Sequence, residues 1–223
     1  MATTLFKKDK DLASSTLEIP NLNILTDAKE EYIQHIIEVI KPSIMHQMKT
    51  IYLESEQLCS QENTPENILM IFQDKLSDIP RWEIAMIDHF YKMCVQDSKC
   101  DYLDECIKLL FIIQIKILCI IHQSKVTQKI RLDCPNGTTF VYLCLIETAR
   151  QLWKQPYLLS KQCNKIEYQK NLNTVEDIIE KCIHKTFKSH LPIKKIIQDY
   201  LDIDNHYYQP LQPPLKEQQQ LES

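Results

Sequence analysis

A single glycine, Gly137, serves a chain of 223 residues. Average usage would supply roughly fifteen. Glycine is the residue that reaches positive φ without strain and lets a backbone pass close to a ligand. Its scarcity argues against a phosphate-cradling loop, a dinucleotide fingerprint or a nucleophile elbow. It argues equally against propellers and jelly rolls, which use glycine at many turns. The expected fold is all-α.

Apolar residues make up 44% of the chain, enough to build a sizeable core. The formal net charge is −4 and the pI about 6.0. Domains that grip nucleic acid usually carry a basic excess, so no direct nucleic-acid partner is expected. Nine cysteines, an odd number, are scattered through a chain long enough to fold without staples. Most fall inside apolar helical runs (Cys94, Cys106, Cys119, Cys144 and Cys182). They read as reduced, core-filling thiols. Residues 1–26 lack the apolar run of a secretory leader. The greasiest stretch, Leu103 to Ile121, is interrupted by Asp104, Glu105, Lys108 and Lys116. It is expected to be a central buried helix and not a membrane span.

The apolar periodicity predicts a single bundle of seven to nine helices over residues 27–202, with an extended arm at 1–26 and a Pro/Gln-rich tail at 203–223. Ile33, Ile36, Ile37 and Ile40 form one face before Pro42, which is expected to break or bend the chain. Ile44, Met48 and Ile51 continue a second helix to about Cys59. Thr64-Pro65-Glu66 is a start signal for a helix with Ile68, Ile71, Phe72 and Leu76 inward. Ile79-Pro80 ends it, and Ile84, Ile87, Tyr91 and Cys94 mark the next. Ser98-x-x-Asp101 resembles a capping box for the 103–121 helix. Residues 126–132 alternate and suggest the one short strand, followed by an Asn136-Gly137 turn that delivers the chain into a helix ending at Lys154. Gln162–Asn171 reads as a polar connection. Thr174-x-x-Asp177 reads as the cap of an amphipathic helix with Val175, Ile178, Ile179, Cys182, Ile183 and Phe187 inward. Pro192 opens a last helix with Ile193, Ile196, Ile197, Tyr200 and Leu201 inward.

Residues that could carry chemistry are few. Cys94, Cys100 and Cys106, with His89 and Asp97 nearby, are the candidates for metal ligands. Structural zinc sites pair ligands within one turn, whereas spacing by six puts helical residues on opposite faces, so packing is the better account. Cys119-x-x-His122 is one ligand-like pair at the end of an apolar helix. Asp97, Asp101, Asp104 and Glu105 cluster where a helix begins, which dipole complementation explains without invoking acid–base work. No nucleophile–histidine pairing stands out, and no cofactor and no enzymatic activity are expected. Lys7, Lys8, Lys10, Lys185 and Lys188 are sparse and read as solvated faces. Trp82, Trp153 and Tyr157 each sit near a proline, Pro80 or Pro156. Such aromatics plug the end of a bundle or anchor an interface.

Four stretches carry a resemblance. They are Ile79-Pro80-Arg81-Trp82; Ser98-Lys99-Cys100-Asp101-Tyr102-Leu103-Asp104 followed by Lys116-Ile117-Leu118; Glu147-Thr148-Ala149-Arg150-Gln151-Leu152-Trp153-Lys154-Gln155-Pro156-Tyr157-Leu158; and Leu191-Pro192-Ile193. In order and spacing, over roughly residues 50–203, the chain resembles a conserved helical family of the nucleocytoplasmic large DNA viruses, the giant-virus group. Tyr102 stands where many members have tryptophan. The resemblance implies a viral setting and no enzymatic site. It implies a scaffold-like minor capsid protein of the virion, made in the cytoplasmic viral factory of the host and binding beneath or between major capsid protein capsomers. Its implied partners are the major capsid protein and other minor capsid proteins, with self-association and proximity to the inner membrane as further options. The alternatives are an interaction module of the replication or transcription factory and a regulator that binds a host protein. The tail, with Tyr207, Tyr208, Pro210, Pro213 and Pro214, reads as an extended arm whose aromatics and prolines could lie across a neighbouring subunit.

Overall fold

A computed structural model describes residues 22–121 and 134–204. Among the described residues seven α-helices follow one another: α1 (Leu22–Glu62), α2 (Ile68–Asp78), α3 (Ile84–Ser98), α4 (Leu103–Ile121), α5 (Gly137–Lys154), α6 (Lys165–Ser189) and α7 (Ile193–Asp204). Short 3₁₀ turns stand at Pro65–Asn67, Ile79–Arg81 and Pro156–Leu159. The chain is an all-α bundle, with no strand among the described residues. The strand expected at 126–132 lies outside the described residues, as do residues 1–21 and the tail from 205 onward.

The first correction concerns Pro42, which does not break the chain. α1 runs through it for 41 residues, a rod of about 60 Å at 1.5 Å per residue. Proline removes one backbone N–H, and its ring crowds the preceding turn. Here Pro42 faces solvent, where water can satisfy the carbonyl it leaves unpaired. The buried positions keep their phase across it: Ile33, Ile36, Ile37 and Ile40 before, Ile44, Met48, Ile51 and Tyr52 after. One continuous apolar stripe makes two helices into one, because tertiary burial outweighs the local penalty.

The 103–121 helix is well buried, but it is not the hub. α1 and α5 each pack on every other helix from α2 to α6 or on its partner hub, whereas α4 packs chiefly on those two. Phe111 of α4 meets Phe140 of α5 and Phe187 of α6 edge-on, at centroid distances of 6.0 and 5.0 Å. Ile36, Ile37 and Ile40 of α1 and Leu145 and Leu152 of α5 are fully enclosed. α7 stands apart: Ile196 joins Ile115 and Cys119 in a small cluster of its own. Ile193 and Ile197, expected inward, are exposed. Ile84, expected inward on α3, is 78% exposed, and Phe90 takes the buried place. No helix among the described residues is long and apolar enough to cross a membrane.

Helix starts also differ from expectation. Thr64 makes no side-chain cap, and a 3₁₀ turn separates it from α2. Ser98 ends α3 instead of starting α4; its hydroxyl donates to the Cys94 carbonyl and accepts from Cys100 N–H. Thr174 lies inside α6 and donates to the Lys170 carbonyl. The polar run from Lys165 to Asn171 is therefore helical, and the N-cap is Asn164, which accepts from Glu167 N–H at 2.9 Å. Asn136 caps α5 in the same way, accepting from Thr139 N–H at 2.8 Å. In both cases asparagine supplies the acceptor that an orphan amide needs.

Cys59, Cys94, Cys100, Cys106, Cys119, Cys144 and Cys182 are buried thiols. Several answer a hydroxyl across a helix contact, as Cys144 does with Thr186 and Cys182 with Thr148 between α5 and α6. Ser43 Oγ of α1 is buried without an ordinary partner, and the Cys94 thiol, a weak one, is the group beside it.

Candidate functional site

Two proline-marked turns place the aromatic candidates, and each is clamped from another helix. At the first, Tyr142 of α5 donates to the Ile79 carbonyl at 2.8 Å, and Trp82 N–H closes the turn onto the same oxygen. Trp82 then lies edge-on to Phe90, 6.4 Å between centroids. It is half-buried and forms one wall of a groove of about 510 Å³ between α1, α2 and α3. Ile51, Met86 and Phe90 supply the rest of the apolar lining, and Glu54, Lys75 and His89 the rim. Lys75 is held by Glu54 at 2.8 Å.

At the second turn, Gln73 of α2 donates to the Trp153 carbonyl at 2.7 Å. Pro156 ends α5, and the 3₁₀ turn that follows buries Leu158 and Leu159. Leu152 is also buried. Between these anchors Trp153 is 47% exposed and Tyr157 53% exposed. Two large rings are thus mounted on fixed backbone with much of their surface in water.

Nearly two turns before Trp153 stands Glu147, with only 13% of its side chain exposed. Lys185 of α6 binds its Oε1 at 2.5 Å, Gln151 donates to the same oxygen at 2.9 Å, and Arg150 lies 3.7 Å from Oε2. Burial alone would raise its pKa, but the Lys185 and Gln151 hydrogen bonds and the two positive charges outweigh it and hold the carboxyl below its usual range. This is a structural pair that ties α5 to α6. No substrate-sized enclosure surrounds it: the adjoining hollow, about 500 Å³, is open and lined by Ser77, Arg150, Gln151, Trp153, Lys154 and Lys185 around it.

The metal-ligand candidates are not brought together. No group of three or more His, Cys, Asp or Glu among the described residues is placed to hold an ion. Cys94 faces α1, and burial pushes its thiol up to about 12. Burial likewise raises Cys100 and Cys106. Thiols held protonated at neutral pH are poor nucleophiles. Cys100 Sγ does lie 3.9 Å from His35 Nε2, with the His35 ring stacked on Tyr102 at 6.0 Å. Sequence spacing could not reveal this pair, since the partners are 65 residues apart. His89 and Asp97 are exposed. His122 lies outside the described residues.

The acidic cluster has a structural role at one member. Asp104 Oδ1 accepts from Gly137 N–H at 2.5 Å, while Lys108 pairs with its other oxygen. An α4 carboxylate thereby satisfies an orphan amide at the start of α5. Burial opposes ionisation of Asp104, but Lys108 and the Gly137 amide prevail and lower its pKa. Tyr91 closes the same corner; burial first, then the Asp104 and Glu105 charges, push its phenol up to about 12.

Of the proposed interface residues, Trp82, Trp153 and Tyr157 are therefore described, and Tyr207, Tyr208, Pro210, Pro213 and Pro214 lie outside the described residues. A family model described as a family of unknown function, DUF5764, matches residues 22–160, from the start of α1 to the turn after α5. The chain belongs to that family. No curated protein matches the chain, and no solved structure does.

Proposed function

We propose that this member of the DUF5764 family is a docking protein without catalytic activity, and that it serves as a minor capsid protein of a large icosahedral DNA virus, beneath or between the capsomers of the major capsid protein. The observation that carries the docking half is the pair Trp153 and Tyr157. Both rings are about half in water, yet their backbone is fixed by Pro156, by buried Leu152, Leu158 and Leu159, and by the Gln73 bond. Exposed aromatics on rigid backbone lose little conformational entropy when covered, and aromatics dominate interface hot spots. The Trp82 groove on the α1–α3 side offers a second apolar recess. The viral half rests on the resemblance of the four stretches quoted above, two of which are the turns that carry Trp82 and Trp153.

The test is quantitative mass spectrometry of purified virions before and after detergent removes the membrane. A shell component is present in many copies and stays with the stripped shell. A protein scarce in virions but abundant in factories would overturn the capsid reading in favour of a factory module. In parallel, Trp153→Ala/Tyr157→Ala should abolish incorporation while leaving the thermal midpoint within about 2 °C of wild type, since surface truncations away from packed features usually change stability by less than ~0.5 kcal/mol.

A further inference from the structure

Charge is unevenly spread over a chain whose net charge is −4. Lys181, Lys185 and Lys188 are exposed on α6 at positions i, i+4 and i+7. That spacing puts them in one row, about 5.4 Å per turn. Two open hollows of about 500 and 680 Å³ share Lys185, so the row continues onto the end of α5, where Arg150, Trp153 and Lys154 are exposed. Glu147 in the floor is already bound by Lys185 and Arg150. Asp177, one turn before Lys181, makes no ion pair among the described residues, and Glu180 is turned to Lys41. Lys154, Lys181 and Lys188 have no ion pair among the described residues. Helix-dipole complementation accounts for Lys154 and Lys188, in the last turns of α5 and α6. It does not account for Arg150, Lys181 or Lys185.

We propose that this row is a docking site for an acidic segment of a partner protein, with carboxylates at one-turn spacing along the α6 lysines and an apolar side chain against Trp153. The proposal deepens the docking reading by naming the chemistry of the partner. Five cations against Glu147, which Lys185 and Arg150 already bind, and Asp177 at one end of the row leave an excess of positive charge that selects a negatively charged occupant. Length and lining favour a short acidic segment over a nucleic-acid backbone. The net charge of −4 opposes a long polyanion more than a short segment of three carboxylates, the row is only about three turns long, and of the two exposed rings Trp153 lines the hollow beside the row, too little to stack successive bases.

The experiment is fluorescence anisotropy of the full chain with a labelled alanine-based helical peptide bearing glutamate at i, i+4 and i+7. Binding should appear at low salt, weaken as salt rises through the Debye-screening range, and fall roughly tenfold in Lys154→Gln/Lys181→Gln/Lys188→Gln, the summed effect of three exposed pairs. These lysines hold no ion pair among the described residues, so the variant should stay folded, with only the small loss of helix-dipole complementation at Lys154 and Lys188 in its melting curve. Equal binding by variant and wild type, or no binding at low salt, overturns the proposal. So does tighter binding of an oligothymidylate of matched charge, which would make the row a nucleic-acid site. The titration requires no virion, so its failure is separate from failure of the capsid assignment.

Discussion

Replacing Gly137 by alanine should destabilise the protein, although alanine is the better helix former. Gly137 has no positive φ, so backbone strain is not the issue. On propensity and unfolded-state entropy alone, the change would stabilise by about 0.4–1 kcal/mol. Space decides otherwise. A Cβ at this position would stand 2.7 Å from Tyr91 Oη, 3.0 Å from Asp104 Oδ1 and 3.2 Å from Asp104 Cα. The first two atoms can retreat, but Tyr91 is half-buried against the core and the third is α4 backbone. Overpacking of this kind costs about 1–3 kcal/mol. Pushing Asp104 away also weakens a charge-assisted bond worth about 1.5–3 kcal/mol. Because that bond bends before it breaks, the net expectation is a loss of about 2 kcal/mol, or about 4–8 °C in melting temperature for a domain of this size. Urea denaturation followed by circular dichroism measures it. Tyr91→Phe removes the nearest atom, so Gly137→Ala should cost at least about 0.5 kcal/mol less in that background. A Gly137→Ala protein as stable as wild type, or a cost unchanged by Tyr91→Phe, would refute the reasoning.

The folded-state pKa values of Asp104 and Glu147 are lowered. Their stabilisation is therefore complete above the unfolded carboxylate range and is lost as pH falls from there through the lowered folded values, so urea midpoints should drop below about pH 5. The drop should be shallower in Asp104→Asn/Glu147→Gln, and identical slopes would contradict the assignment. Alkylation of the native protein should leave Cys59, Cys94, Cys144 and Cys182 unmodified, while denaturant without reductant should expose them; two or more intrachain disulfides would oppose this reading. Deletion of residues 205–223 keeps α7 whole and should leave the bundle folded. If it also leaves virion incorporation unchanged, the tail is no docking arm.

Periodic elements were legible because burial imposes a period. The stripe from Ile33 to Ile51 and the face from Val175 to Phe187 could be read as core from spacing alone. Junctions were not, because caps depend on which of several hydroxyl and amide side chains the backbone presents. Ser98 and Thr174 had the right chemistry in the wrong register, while Asn136 and Asn164 hold the N-cap positions. Glycine scarcity was misleading in one respect. The left-handed positions that end α1 and α3 are taken by Asn63 and Lys99, at φ 53° and 55°. The sole glycine is used for close approach. Of the surfaces, the rings beside prolines were visible in sequence, but the basic row was not. Lys185 and Lys188 looked like a solvated face until α5 set Arg150 and Lys154 beside them.

The unbroken course of α1 through Pro42 has a consequence for how the molecule comes apart. A rod that touches α2, α3, α4, α5 and α6 belongs to every would-be substructure at once. No helix from α2 to α6 can detach without uncovering part of its apolar stripe, and the stripe cannot be divided at Pro42. Amide protons in the middle of α1 should then exchange with deuterium only through global opening, at the slowest rate in the protein. Ile196 of α7 packs in a small cluster apart from that rod, with Ile115 and Cys119 of α4, so its amide should exchange sooner than those of α1. The bundle from α1 to α6 is thus one cooperative block.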